Sequence, residues 1–279
     1  MKISHQDSSV IVFESELMQT TCTLIIRPDH LLLVDPNWLP SEVAFIVREV
    51  EKRRTDLPLY LLFTHSDYDH IIAYERFKAT AKLIVSQALL DNPEQTLQLE
   101  EIRNFYDQYY LQPPWPISYP QNANLVISKR KEIHQVGNST YHFYQAPGHN
   151  PDGLLTYLVE QQVLIVGDYL CAVEFPFIYH SIKAYQQTLK VLDELLHTQP
   201  IRLLIGGHGP VTTEKQEMLT RLSDAKWYVE QLIAYSSAET PFPEEELWSR
   251  YPHFPIVQGK YHSGNLELAR KELGGGVPF

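Results

Sequence analysis

Short apolar runs separated by turn residues fill most of the chain. The runs at 10–13, 23–26, 31–34 and 59–63 are rich in Val, Ile, Leu and Phe, and each stops at a polar or turn-forming residue. Runs of this length and composition predict strands. Between the last two, Pro40-Ser41-Glu42 opens a predicted helix that continues to Glu51, since a serine beside acidic groups suits a helix N-terminus. Residues 73–77 predict a short helix and 82–86 another strand. A second set of strands is predicted at 125–128, 141–144, 154–158, 163–166 and 202–205. Ile182, Tyr185, Leu189, Leu192 and Leu196 recur at helical spacing, which predicts one helix lying on a sheet. After Pro210 the pattern turns helical, over 214–235, 244–248 and 266–273. No solenoid-type repeat and no low-complexity linker interrupts it.

This alternation places the chain in the α/β class, and we expect one domain over 1–279. Two segments stand apart. Residues 92–120 begin helical and acidic, then gather Phe105, Tyr106, Tyr109, Tyr110, Trp115 and Tyr119 among prolines. Such a segment is either a surface insertion packed on itself or a lid that walls a substrate pocket. Residues 214–279 form an expected helical C-terminal extension, which either caps the pocket or makes a homodimer contact.

Composition narrows the function classes. The 279 residues are 44% hydrophobic, enough for a sizeable core. No run approaches the ~18 apolar residues of a membrane helix. The first residues lack a signal-peptide stretch, so a soluble, cytoplasmic protein with no membrane partner is expected. Cys22 and Cys171 stand too far apart in sequence to read as a disulfide framework or a zinc ribbon. The net charge of −11 repels polyanions, and the basic runs 52–54 and 129–131 are short, so no nucleic-acid partner is expected.

The chemistry lies where strands end. His65, His149, Asp168 and His208 each follow an apolar run and open a turn. Strand ends that open on one edge of a sheet converge. The densest cluster is His65-Ser66-Asp67-Tyr68-Asp69-His70, with four imidazole or carboxylate groups in six positions. An extended strand would point these to opposite faces, whereas a tight turn brings them together around more than one ion. Imidazole with carboxylate suits zinc, iron or manganese, and no thiolate is at hand for a structural zinc site. His5, His30, His134, His142 and His197 stand alone and receive no role.

At these residues the sequence resembles the metallo-β-lactamase superfamily, whose signature is His-x-His-x-Asp-His, then Gly-His, Gly-Asp and a final Gly-His-Gly. The matching positions are 65–70, Gly148-His149, Gly167-Asp168 and Gly207-His208-Gly209, in the same order. The resemblance spans about 10–210 and implies a four-layer αββα sandwich with two divalent metal ions at one edge. By position it implies that His65, Asp67 and His149 hold the first ion, Asp69, His70 and His208 the second, and that Asp168 bridges them. Asp35 matches an early aspartate that supports the metal loop.

Three positions depart from the family pattern. Asp67 replaces a histidine and resembles the flavo-di-iron branch, which has a carboxylate there; zinc stays the first expectation, but the carboxylate shifts the odds toward iron or manganese. Asn37 stands where glycine is common. Asp152 replaces a glycine and is expected near the mouth, disfavouring anionic substrates.

The resemblance implies a binuclear hydrolase acting on a small ester, lactone, thioester or phosphodiester. Two ions about 3.5–4 Å apart share a water whose ionised, bridging form attacks, and Asp69 and Asp168 are the catalytic carboxylates. The alternative is a di-iron redox protein that handles oxygen or another small oxidant. Tyr169, His180 and His262 are the substrate contacts the sequence offers, and the 175–180 run is an expected pocket wall.

Overall fold

Side-chain alternation along the strands sorts the apolar residues into separate layers. In the computed structural model, which describes residues 1–237 and 241–274, the first half of the chain builds a seven-stranded sheet. It holds β1 (Lys2–Gln6), β2 (Val10–Glu14), β3 (Thr21–Ile26), β4 (Leu31–Val34), β5 (Leu59–Leu62), β6 (Ala81–Ser86) and β7 (Leu125–Ile127) in that order. The pairs are antiparallel from β1 to β4 and parallel from β4 to β7. The second half builds a five-stranded sheet from β8 (Lys131–Val136), β9 (Ser139–Gln145), β10 (Leu154–Leu158), β11 (Val163–Ile165) and β12 (Leu203–Ile205), in the order β12-β11-β10-β9-β8.

Period-two alternation then stacks these sheets. Val10 and Val12 of β2 face Val163, Ile165, Leu203 and Ile205 of the other sheet in one shared apolar layer. Ile11 and Phe13 point the other way, into a second layer beneath helices α1 (Pro40–Arg54) and α5 (Gln95–Gln108). Between them run three one-turn helices, α2 (Tyr68–Ile71), α3 (Tyr74–Phe77) and α4 (Gln87–Leu90). Leu164 and Leu204 of the second sheet face a third layer under α6 (Ile182–Thr198) and the tail helices α7 (Lys215–Ser237), α8 (Glu244–Arg250) and α9 (Pro255–Leu273). Three apolar layers between four structural layers make the αββα sandwich.

The tail packs into the fold. Met218, Leu222, Tyr228, Leu232 and Leu247 share the apolar layer of Leu189 and Leu192 on α6. Buried Gln258 and Asn265 of α9 fasten the loop after β11: Gln258 Nε2 donates to the Val173 carbonyl (2.7 Å), Asn265 Nδ2 to that of Pro176 (2.7 Å), and Asn265 Oδ1 accepts from Ile178 N–H (3.0 Å). Of the expected extension 214–279, residues 238–240 and 275–279 lie outside the described residues. The segment 92–120 packs Phe105, Tyr106 and Tyr119 inward and leaves Tyr109 and Tyr110 exposed: the Trp38 and Phe105 rings are 4.4 Å apart and Phe105 also meets Tyr68. Among the described residues no helix is long and apolar enough to cross a membrane.

Candidate metal centre

Every expected ligand leaves the end of a strand at one edge of the sandwich. After β5 the chain runs through Phe63 and Thr64 into His65, and α2 then winds Tyr68–Ile71 with Asp67 at its N-terminal boundary. One turn of helix brings Asp69 and His70 to the side where His65 and Asp67 already stand. His149 follows β9, Asp168 follows β11 and His208 follows β12. The two sheets are joined at this edge: Leu154 N–H donates to the Thr64 carbonyl (2.7 Å) and Thr21 N–H to that of Gly207 (2.7 Å).

The seven side chains fall into two groups, His65 with Asp67, His149 and Asp168, and Asp69 with His70 and His208. In the first, His149 Nε2 lies 3.1 Å from Asp67 Oδ2 and 3.3 Å from Asp168 Oδ2, while His65 Nε2 lies 3.5 Å from Asp67 Oδ2. In the second, His70 Nε2 and His208 Nε2 lie 3.5 and 3.6 Å from Asp69 Oδ2. Asp168 reaches across, at 3.2 Å from His70 Nε2, 3.3 Å from His208 Nε2 and 3.7 Å from His65 Nε2. Tetrahedral ligands at the usual 2.0–2.2 Å from a cation are about 3.3–3.6 Å apart, and these separations cluster there.

The imidazoles are held from behind. His70 Nδ1 is 2.9 Å from Asp35 Oδ2, His149 Nδ1 is 2.7 Å from the Phe177 carbonyl and His208 Nδ1 is 2.8 Å from the Met18 carbonyl. His65 Nδ1 meets Thr64 Oγ1 at 3.0 Å, and Thr64 Oγ1 donates to Asp35 Oδ2 at 2.6 Å. Each Nδ1 therefore carries the proton, and each Nε2 turns a lone pair inward. His65 Nε2, His70 Nε2 and Asp168 Oδ1 are buried and have no hydrogen-bond partner. Buried polar atoms left bare in this way, facing one another, fit a cation.

Charge tells the same story. Burial works against protonation of His149, yet Asp168 and Asp67 raise its pKa to about 10. Burial likewise opposes the charge on His70 and His208, and the surrounding carboxylates overcome it and push both well above the imidazole range. Burial would raise Asp168, but the four histidines pull it well below the carboxylate range. Without cations, protons held on the imidazoles offset the carboxylate charge; divalent ions would take their place.

Several residues complete the centre that sequence reasoning did not single out. Asn150 Nδ2 donates to Asp67 Oδ1, next in sequence to a ligand but silent as a pattern. Thr20 Oγ1 accepts from Trp38 Nε1 (2.7 Å) and lies 3.4 Å from Asp69 Oδ2. Glu174 Oε1 is 4.0 Å from His208 Nδ1; burial lifts its pKa to about 7, with His208 opposing and Asp168 and Asp69 adding to the rise. Tyr179 packs its ring 5.0 Å from that of His149.

Other expectations are corrected. Asp152 is not at the mouth: it is buried and unpartnered at both oxygens behind the metal loop, and burial raises its pKa. Its place within the tight turn at 150–153 points it inward, and Ser86 Oγ donates to its backbone carbonyl. Tyr169 offers no free hydroxyl, since it accepts from His149 N–H (3.1 Å) and donates to the Ala146 carbonyl (2.9 Å). It braces the His149 turn. His262 lies within the tail, between Tyr228 and Glu244. The His180 side chain is exposed, and its backbone N–H is spent on the Gly148 and His149 carbonyls. Asn37 is buried and donates to the Thr21 carbonyl, a contact that glycine cannot make.

Known proteins share this fold. The family model of the metallo-β-lactamase superfamily matches residues 16–225. Among solved structures, the metallo-β-lactamase family protein TTHA1429 from Thermus thermophilus superposes with a TM-score of 0.61 at 18% identity, over 93% of each chain. A metallo-β-lactamase from Pontibacter korlensis gives 0.55 at 14% identity, over 80% of this chain and 99% of that one. A double mutant of the sec-alkyl sulfatase PisA1 gives 0.62 at 16% identity, over 83% of this chain; the match spans only 42% of the sulfatase. At such identities the structural likeness concerns the fold, while the sequence match reaches through the first ligand turn to the last. With its ligand turns, layers and matched length in agreement, the chain belongs to the metallo-β-lactamase superfamily.

Proposed function

We propose that the protein is a binuclear metal-dependent hydrolase of a small-molecule ester, lactone, thioester or phosphodiester. The observation that carries this reading is the inward array of four Nε2 atoms around Asp168, each imidazole tied back through Nδ1. When bound, a pair of divalent cations supplies a water acidic enough to ionise near neutral pH and a Lewis acid for the substrate oxygen. His65, Asp67 and His149 would hold one cation, Asp69, His70 and His208 the other, and Asp168 both.

The chain's own groups do the rest. Asn150 fixes the rotamer of Asp67 by holding its Oδ1. Asp35 orients His70 directly and His65 through Thr64. Asp69 Oδ2, with Thr20 Oγ1 beside it, is the oxygen placed to take and pass on the proton of the attacking water. No serine or cysteine nucleophile enters.

Asp67 favours a second reading, a di-iron protein acting on oxygen or another small oxidant, because a third carboxylate makes the centre harder and more anionic. Elemental analysis of freshly isolated protein and its optical spectrum separate the two. Hydrolysis expects two ions per chain, zinc or manganese supporting turnover, and no redox-dependent absorption. Protein loaded with two ions that cleaves nothing in a panel of esters, lactones, thioesters and phosphodiesters refutes it.

A further inference from the structure

A groove of about 810 Å³ lies beside the metal centre. That volume falls within the range of pockets for drug-sized ligands. Three segments distant in sequence build it: Leu17 and Met18 before β3, the α5 face with Glu101 and Phe105, and the start of α9 with Ile256 and Tyr261. Tyr68, between the ligands Asp67 and Asp69, is part of its wall. Trp38 is another part, and its Nε1 donates to Thr20 Oγ1 beside Asp69. Met18 contributes both a side chain to the groove and the carbonyl that holds His208. Groove and metal centre therefore share their walls.

Large apolar side chains stand open to solvent along the groove, beside the exposed polar Asn104, Gln108 and Lys260. Met18 is 47% exposed, Tyr109 47%, Val257 51% and Ile256 92%, and all four line this groove. Large apolar side chains left open together around one cleft mark a binding surface. The α9 wall is not loose, because Gln258 and Asn265 anchor that helix to the loop after β11. Glu101 and Lys260 are the charged residues of the lining. Burial raises the Glu101 pKa and the nearby Asp67 and Asp69 raise it further, which puts the acid close to the centre. Asp67, Asp69 and Asp168 alone would offset three of the four positive charges of two dications, and the chain's net charge of −11 adds no attraction for an anion.

We propose that the substrate is an uncharged carboxylic ester, lactone or thioester with an extended alkyl or aryl group, and that this group lies in the groove between α5 and α9 while the scissile bond sits at the metals. The inference rests on the hydrolase reading and names its substrate class. The water attacks the acyl carbon, the C–O or C–S bond breaks, and the leaving oxygen or sulfur takes up the proton.

Two measurements on the metal-loaded full chain test it. The first is kcat/KM for p-nitrophenyl esters from acetate to octanoate. A buried methylene contributes about 0.8 kcal/mol, close to fourfold per carbon; with a partly open groove, the expected rise from acetate to octanoate is at least tenfold. The Ile256→Ser/Val257→Ser double variant changes two exposed side chains and should at least halve that octanoate-to-acetate ratio. The second is calorimetric binding of uncharged N-alkylacetamides, which reads the groove without turnover: affinity should rise with chain length and rise less in the double variant. Esters hydrolysed with no chain-length dependence, or octyl sulfate and dialkyl phosphates preferred over octanoate, overturn the substrate class and leave the hydrolase standing. Amides bound with chain-length dependence while no ester is cleaved overturn the hydrolase reading itself. A dimer in sedimentation that must dissociate before the amide binds assigns the apolar rim to a second copy and overturns the proposal.

Discussion

Replacing Asp35 by asparagine probes how the metal loop is supported. Asp35 is buried and accepts three hydrogen bonds, from Thr64 N–H to Oδ1 (2.9 Å) and from Thr64 Oγ1 (2.6 Å) and His70 Nδ1 (2.9 Å) to Oδ2. Asparagine keeps one acceptor oxygen. With that oxygen on the Thr64 amide, its NH₂ faces two donors. With the amide turned over, the Thr64 N–H faces a donor instead. Each buried group left unpaired costs about 1–3 kcal/mol. His70 relieves the clash by moving its proton to Nε2, and the nitrogen that faced the centre then has no lone pair to offer. Loss of an outer hydrogen-bond partner of this kind weakens metal binding about 10–100-fold, which corresponds to about 1.4–2.7 kcal/mol. The loss should fall on one ion, because His70 loses its partner outright while His65 keeps the Thr64 hydroxyl. Zn²⁺ titration against a chromophoric chelator reads both affinities. Two affinities within threefold of the parent, in a variant with unchanged melting temperature, would refute the role assigned to Asp35.

Three further outcomes follow from the same geometry. A Cβ at position 207 would overlap Asp168 Oδ1, so Gly207→Ala should displace the shared carboxylate and lower metal content by about one ion per chain in elemental analysis; full loading would contradict this. In metal-free protein His149 holds its proton up to about pH 10 against ~6.5 when unfolded, so its stabilisation is complete below ~6.5 and is lost as pH climbs through 10. Asp67 and Asp168 are shifted down, and their contribution is present above ~3.9 and lost only in acid; melts of chelator-treated protein should therefore peak between about pH 4 and 6.5, and a melting temperature rising steadily from 6.5 to 10 would contradict it. Tyr169→Phe removes a brace of the His149 turn and should lower stability by about 1–3 kcal/mol, with turnover recovering at saturating metal; a turnover defect that persists there, without a stability change, would return Tyr169 to the substrate.

The parts of the fold legible in the sequence are those where burial dictates residue type. The strands that carry Asp35, His65, Asp168 and His208 are buried except at Tyr60, and their apolar runs predicted them within a residue or two. The edge strands β1 and β8 escaped because their residues are largely polar and partly exposed, as edges that resist pairing with other chains tend to be. The last helix was expected to start at 266 but begins at Pro255: a proline at N1 suits a helix start, yet Gly259 and Gly264 and exposed polar positions erase its periodicity. Residues that act through side-chain hydrogen bonds alone, such as Asn150 and Thr20, leave no periodic trace. Asp152 shows the converse, a conspicuous acid whose place depends on the path of a turn. The groove brings together segments more than two hundred positions apart, a relation no local pattern encodes.

The centre straddles the seam between the two sheets, with His65, Asp67, Asp69 and His70 on the earlier half and His149, Asp168 and His208 on the later one. During synthesis the first four emerge nearly eighty residues ahead of the fifth, when half of each cage is still missing. A pair of ions held as proposed would be fully enclosed only once β12 has taken its place, so loading would be one of the last events in the folding of this chain.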